Sequence, residues 1–162
     1  MSNYLAKHYN EILNYNKDTI LYYHNREIEI VRNIIQREKA QYPDKKVWRV
    51  MDVGCGTGLV SLAIQDIVTD IWMLDDNKEM LEEAKKRYDE FQNAYVSYHN
   101  KSILWYNWDL VLSESRELFD FILCLKVFEH FKDDVDDAHA LLNILWSLAE
   151  NGTVIIEWLS QV

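Results

Sequence analysis

The stretch Val50-Met51-Asp52-Val53-Gly54-Cys55-Gly56-Thr57-Gly58 places three glycines at alternate positions directly after a short apolar run. The whole chain has 162 residues and only four glycines, so this stretch holds three of them. Glycine is needed where the backbone turns tightly or approaches another group closely. An apolar run ending in such a loop, with a helical pattern after it, predicts a strand, a ligand-binding loop and a helix.

Strand and helix patterns alternate on both sides of this loop. Apolar residues at helical spacing predict a helix within 1–40, and a polar break over 41–46 follows it. Further helices are predicted over 58–68, from Asn77 and from Asp133. The predicted strands are 47–53, 70–75, 94–99, 119–125 and 153–158. This alternation predicts an α/β fold with right-handed βαβ units and a mainly parallel sheet.

Two helices have apolar stripes that predict their buried faces. In the first, the stripe is Ile28, Val31, Ile34 and Ile35. In the last, it is Val135, Ala138, Leu141, Leu142, Leu145 and Leu148. The fourth glycine, Gly152, is predicted to cap the end of that last helix. Tyrosines near the start of the chain are candidates for a roof over the ligand site or for helix packing, namely Tyr4, Tyr9, Tyr15, Tyr22 and Tyr23.

Composition excludes several classes of protein. The net charge of -10 disfavours a nucleic-acid partner, because the chain repels phosphate at long range. No apolar run reaches the roughly 20 residues that span a bilayer, and no apolar signal core opens the chain, so we expect a cytoplasmic protein without a membrane partner. Cys55 and Cys124 are predicted to be buried reduced thiols, and no Cys/His spacing is typical of a metal site.

The spacing of the glycines separates two classes of nucleotide site. A dinucleotide fingerprint, G-x-G-x-x-G, would place its third glycine at Leu59, whereas here it falls at Gly58. Asp75 stands at the end of the second strand, 21 residues after Gly54. A carboxylate there can accept hydrogen bonds from two ribose hydroxyls, or it can cap the next helix.

Together with three later segments, the loop resembles the class I S-adenosylmethionine (SAM)-dependent methyltransferases. Asp52 and the glycines match motif I, and Leu74–Leu81 resembles the family's D-x-S-x-x-M-L stretch. The segments 119–131 and 148–156 resemble the family's F-D-x-V-x-x-x-x-V-x-E-H-V and L-x-P-G-G-x-L-x-I stretches. The resemblance implies a Rossmann-like three-layer α/β/α sandwich over 45–162, behind an N-terminal helical cap segment over 1–44.

The resemblance also implies the cofactor SAM, with S-adenosylhomocysteine as product, and a set of residues that hold it. These residues are Asp52, Gly54, Cys55, Gly56, Gly58, Asp75, Asp76, Met80, Asn100, Ser102 and Leu125. Asp75 would bind ribose, residues 76 and 80 would flank the adenine, and Leu125 would meet the methionine end. Asn100 stands where many members have an aspartate. For Met80, the alternative to an adenine contact is a place in the core.

Three hypotheses for function follow. The first is a methyltransferase acting on a small-molecule acceptor, and the absence of an N-P-P-Y segment disfavours methylation of DNA bases or glutamine. The second is a SAM-binding module without turnover, and the third is a nucleotide-binding oxidoreductase, which the glycine spacing disfavours. His130 is a candidate base, or alternatively a structural histidine, and the reaction needs a base only if the nucleophile must lose a proton.

The chain reaches Val162 just after the fifth predicted strand, whereas the family's sheet has seven strands. We therefore expect a sheet that lacks the usual last two strands. The strand 153–158 would then expose an apolar edge that invites pairing. The alternatives are that the chain is a fragment, that another subunit covers the edge or that an N-terminal element covers it, and we favour a fragment or a homo-oligomer over a free monomer.

Overall fold

A computed structural model describes residues 17–88, 94–105, 118–131 and 134–157. Within these ranges the strands form one parallel sheet in the order β3-β2-β1-β4-β5, which confirms the predicted α/β fold. The strands are β1 (Arg49–Val53), β2 (Asp70–Asp75), β3 (Tyr95–Asn100), β4 (Phe119–Leu125) and β5 (Leu148–Glu157). The helices are α1 (Lys17–Ala40), α2 (Leu59–Ile64), α3 (Lys78–Tyr88) and α4 (Asp134–Ser147), with 3-10 turns at Ile103–Trp105 and Phe128–His130.

The sheet separates two apolar clusters, which makes the fold a three-layer sandwich. Successive strand residues point to opposite faces, so Val50 joins the cluster under α1, α2 and α3 while Met51 joins the one under α4. The residues of β4 are buried along nearly its whole length, as expected for a central parallel strand. Because β2, β1 and β4 are parallel neighbours, their carboxyl ends lie side by side at one edge of the sheet.

Helix α1 is part of the same core as the sheet. Of its predicted stripe, Val31 and Ile35 are completely buried. Arg32 forms a two-pronged ion pair with Asp66, at 2.5 and 2.8 Å, and also donates to the Ala63 carbonyl. The predicted tyrosine roof lies outside the described residues and side chains. Neither α1, at 24 residues, nor any other described helix is long and apolar enough to cross a membrane.

Several predicted boundaries were wrong. Helix α2 ends at Ile64 instead of 68, because residues 65–67 turn back toward the sheet and the Ile67 N–H bonds the Ile64 carbonyl at 2.9 Å. Strand β1 begins at Arg49 instead of 47, and β3 lies one residue later than predicted. Ile64, at the end of α2, and Val68, after the turn, both belong to the core.

The predicted inner face of α4 was only partly correct, because Leu141 and Leu148 pack against the core whereas the other members of the stripe do not. Val135, Leu142 and Leu145 are 53–61% exposed, whereas Ala140, Ile144 and Ser147 are buried. The buried face is rich in small residues, which let the helix lie close to the sheet. Its polar groups are paired, since the Ser147 hydroxyl donates to the Asn143 carbonyl at 2.5 Å. The sheet therefore covers only part of the most apolar stripe of α4.

Gly152 does not cap α4, contrary to the prediction. The helix ends at Ser147 and the chain enters β5 directly, with a register shift against β4. Asn151, not Gly152, takes the left-handed conformation, with φ of 64°. A Cβ on Gly152 would lie 2.8 Å from Leu148 Cγ, so glycine is required there by close packing.

Candidate functional site

The glycine loop is fastened to the strand beside it. The backbone N–H groups of Gly54 and Cys55 both donate to the Leu74 carbonyl, at 2.7 and 3.1 Å. Gly54, Gly56 and Gly58 all have φ between 53° and 74°, in the left-handed region that favours glycine. The loop therefore holds a conformation that the sequence Gly54-Cys55-Gly56-Thr57-Gly58 is suited to adopt.

The glycines of this loop serve two different purposes. A Cβ on Gly54 would lie 2.5 Å from Val127 Cγ2, and one on Gly58 would lie 3.1 Å from Ala84 Cβ. A Cβ on Gly56 would meet no atom within 4 Å. Gly54 and Gly58 therefore allow close packing, while Gly56 leaves its backbone facing open space that a ligand can enter.

Asp75 lies at the carboxyl end of β2, next to the backbone of Gly56. Its Oδ2 accepts a hydrogen bond from the Gly56 N–H and its Oδ1 accepts one from the Asn77 N–H, both at 2.8 Å. Burial raises the pKa of Asp75, and these two hydrogen bonds oppose the shift. A carboxylate offers about four acceptor positions, so each oxygen keeps capacity for a further donor.

Helix α3 begins directly after Asp75. Asn77 caps it as predicted, with Oδ1 accepting from the Glu79 and Met80 N–H groups at 3.0 and 3.4 Å. Asp76 is exposed and Met80 is half-buried. The cap fixes the backbone at the start of α3, from which the Met80 side chain projects.

Asp52 lies deeper than the other predicted site residues. It is only 4% exposed, and its Oδ2 accepts a hydrogen bond from the Ser61 hydroxyl at 2.6 Å. Burial raises the pKa of Asp52 to about 7, and the negative charge of Asp75 adds to the shift. The carboxyl group of Asp52 is therefore hydrogen-bonded to helix α2 through Ser61.

Both cysteines are free thiols, and the prediction that they are buried holds for Cys124 but not for Cys55. Cys124 is buried in β4, and burial raises its pKa to about 12. Cys55 is half-buried in the loop, and burial raises its pKa strongly too. A thiol with a raised pKa stays protonated, so neither side chain is suited to act as a nucleophile.

The carboxyl end of β3 meets the same region. Asn100 donates through Nδ2 to the Asp75 carbonyl at 3.1 Å, and its Oδ1 is an acceptor. The Ser102 hydroxyl accepts from the Leu104 N–H at 3.3 Å and so begins a 3-10 turn. Asn100 is thus held beside Asp75, whereas Ser102 has a local structural contact.

The carboxyl end of β4 completes the region. Leu125 is half-buried, and Lys126 after it has a left-handed φ of 58°. His130 is exposed, and its charge lowers the pKa of Asp75. Sequence reasoning named Leu125 but missed Lys126, because no sequence signal marks a lysine in this conformation.

Comparison with known proteins agrees with this geometry. The family model described as a methyltransferase domain matches residues 7–161. The chain belongs to this methyltransferase family. The resemblance read from motif I and the later segments is thereby confirmed, and the oxidoreductase hypothesis loses its support.

Individual relatives of this methyltransferase domain are more distant. It is 26% identical over 134 residues to a ubiquinone biosynthesis O-methyltransferase of Rickettsia prowazekii (strain Madrid E), covering 81% of this chain and 48% of the relative. Among solved structures, SAM-bound CalS10, an amino pentose methyltransferase from Micromonospora echinaspora, has a TM-score of 0.67 at 21% identity, covering 88% of this chain and 56% of that one. A SAM-dependent methyltransferase from Leishmania major has a TM-score of 0.64 at 23% identity, with 83% and 50% covered.

The domain spans about half the length of the relatives it matches. Within that half, the structure brings together the loop, Asp75, Asp76, Met80, Asn100 and Leu125 at the carboxyl edge of the sheet. Ligands of open α/β sheets bind at this edge, where the strand order reverses. Here the reversal lies between β1 and β4, next to Gly54.

Proposed function

We propose that this methyltransferase domain binds SAM at the carboxyl edge of its sheet and transfers a methyl group to a small-molecule acceptor. The observation that carries the proposal is the Asp75 carboxylate. It is held by the N–H groups of Gly56 and Asn77, beside the open space above Gly56. A fixed acceptor next to a glycine-lined opening fits the paired hydroxyls of a ribose.

The residues present fit an adenosine with an attached amino acid. Asp75 accepts from the ribose hydroxyls, while Asp76, Met80 and the Asn100 carbonyl oxygen flank the adenine. The backbone of the glycine loop approaches the middle of the molecule, and Leu125 meets its methionine end. In this proposal Asp52, Cys55 and Ser102 act by shaping the site, since each makes a contact within the protein.

SAM supplies a methyl group that its positively charged sulfur already activates. The protein must then hold the acceptor atom in line with that methyl group and close to it. A general base is required only for an acceptor that must lose a proton. His130, exposed after the end of β4, is the candidate for that base.

The acceptor class rests on charge and on the relatives. The net charge of -10 disfavours a nucleic-acid acceptor. The relatives named above include a ubiquinone biosynthesis O-methyltransferase and an amino pentose methyltransferase. We infer a small molecule that presents a hydroxyl or an amine.

Calorimetric titration with SAM, S-adenosylhomocysteine and NAD tests the proposal. We expect binding of the first two and none of NAD. Failure of SAM to bind at high micromolar concentration would overturn it. Mass spectrometry with hydroxyl- and amine-bearing acceptors then separates a working enzyme from a module that binds SAM without turnover.

We also propose that a second copy of the chain covers the outer edge of β5. In the described part of the chain β5 pairs with β4 on one side only, and Ile156 is 40% exposed. Such an edge offers unpaired backbone groups to another strand. Light scattering tests this, and a monomer at all concentrations would contradict it.

A further inference from the structure

Lys126 occupies an unusual place at the carboxyl edge of the sheet. It follows the last residue of β4 and takes a left-handed φ of 58°. Side chains other than glycine adopt this conformation at a cost, and they keep it only where the surrounding structure enforces it. In the described residues the other such case is Asn151, a residue type that tolerates the conformation well.

The side chain of Lys126 joins three elements. Its ammonium forms an ion pair with Glu27 of α1, and it lies 3.9 Å from Oε2 of Glu157 at the end of β5. The three side chains are 27%, 16% and 30% exposed, so the group is partly shielded from water. Glu157 also stands opposite Leu125 in the β4–β5 register. The ion pairs therefore connect α1, the turn after β4 and the end of β5.

The backbone around Lys126 reaches the glycine loop. The next residue, Val127, lies so close to Gly54 that a Cβ there would be 2.5 Å from its Cγ2. The preceding residue, Leu125, is the one assigned above to the methionine end of SAM. A change in the conformation of Lys126 would move both neighbours.

We propose that Lys126 is a positioning residue of the SAM site. Its ion pairs with Glu27 and Glu157 hold the turn after β4 in the left-handed conformation, which seats Val127 against Gly54 and aims the Leu125 backbone at the methionine end of the ligand. The inference rests on the proposed function and adds to it a residue that acts through its neighbours, without touching the ligand.

The test compares three variants of the full chain. Lys126→Met removes the ammonium, Lys126→Arg keeps a positive charge, and Lys45→Met is the matched control. Lys45 forms an ion pair with Asp120 at 2.5 Å, beside the amino end of the sheet and away from the site. Affinities for S-adenosylhomocysteine and for adenosine are measured by calorimetry, and unfolding temperatures are measured alongside.

We expect Lys126→Met to weaken S-adenosylhomocysteine binding about tenfold, because loss of the ion pairs releases the turn that positions Leu125 and Val127, and members of one ion-pair network couple this strongly. Adenosine lacks the methionine end, so its affinity should change less than about twofold. Lys126→Arg should restore most of the loss, and Lys45→Met should leave both affinities unchanged even if it lowers the unfolding temperature. If Lys126→Met does not fold, Glu27→Gln removes the other half of the ion pair and should give the same selective loss.

Equal losses for both ligands would overturn the inference, as would an unchanged affinity for S-adenosylhomocysteine. In either case the unaltered chain still binds S-adenosylhomocysteine, so the proposed function stands. If the unaltered chain binds neither SAM nor S-adenosylhomocysteine, the proposed function and this inference fail together.

Discussion

The two faces of the sheet differ in how completely they are covered. Under α1, α2 and α3, the cluster that contains Ile35, Ile64 and Ala84 is sealed, and each of these side chains is completely buried. Over the other face, α4 buries Ala140 and Ile144 but leaves a row of large side chains exposed to water. These are Val135, Leu142, Leu145 and Trp146, at 53–67% exposure. Exposed apolar groups of this size typically mark a contact surface.

The sealed face supplies the packing that holds the proposed site in place. Gly58 packs against Ala84 and Met73, and both belong to the sealed face. Asp52 and Asp75 lie at the same alternation positions as Val50 and Met73, and so point to that face too. The loop and its carboxylates thus lie on the sealed face of the sheet. The elements α4 and β5 instead carry large apolar side chains that are exposed.

The largest expected difference between the faces is in core stability. Ile35→Ala on the sealed face should lower the free energy of unfolding by about 4 kcal/mol, because it leaves a cavity. Leu142→Ala removes the same number of carbon atoms from the open face and should cost less than about 0.5 kcal/mol. Urea unfolding of both variants measures this. A similar loss for Leu142→Ala would mean that a second copy covers α4 in solution.

The pH dependence of the free energy of unfolding tests the raised pKa of Asp52, whose carboxyl group is buried on the sealed face. Burial raises the pKa of Asp52 to about 7, so the folded state holds its proton more tightly than the unfolded state does. Stability from this group is present at low pH and is lost as pH rises toward that pKa. Between about pH 4.5 and about pH 7.5 this loss should reach about 3 kcal/mol.

Asp52→Asn supplies the control for that titration, because it has no proton to lose in this range. Its unfolding free energy, measured in urea at each pH, should lack the decline that Asp52 produces. The variant should keep a hydrogen bond to Ser61, so the comparison isolates the charge. Parallel pH profiles for the two proteins would show that Asp52 does not carry the effect.

The smallest expected effect is at the ligand edge of the sealed face. Asp75→Ala should weaken SAM binding by about 2 kcal/mol, because a buried acceptor for the ribose is lost. Asp70→Ala is the matched control, since Asp70 is the first residue of the same strand and lies at its other end. Calorimetry measures both affinities. Equal affinities for the two variants would remove Asp75 from the ribose site.

Local sequence patterns predicted the strand–loop–helix unit well. The spacing of the glycines, the apolar run before them and Asp75 at a strand end all report on short stretches of chain. The same holds for the Asn77 cap, whose partners are two and three residues away. The errors arose where a choice depended on distant contacts. Nothing local shows that α4 lies on the sheet through Ala140 and Ser147 rather than through Leu142 and Leu145.

The sequence by itself determined the fold class, the alternation of strands and helices, and the loop that bears the proposed site. Periodicity and glycine placement are encoded locally. Only the tertiary structure decided which glycine faces open space, which carboxyl group is buried and which face of α4 is covered. It also placed Lys126 between Glu27 and Glu157, residues 130 positions apart in the chain. Such contacts depend on how the helices settle on the sheet, and close packing there outweighs the local apolar pattern.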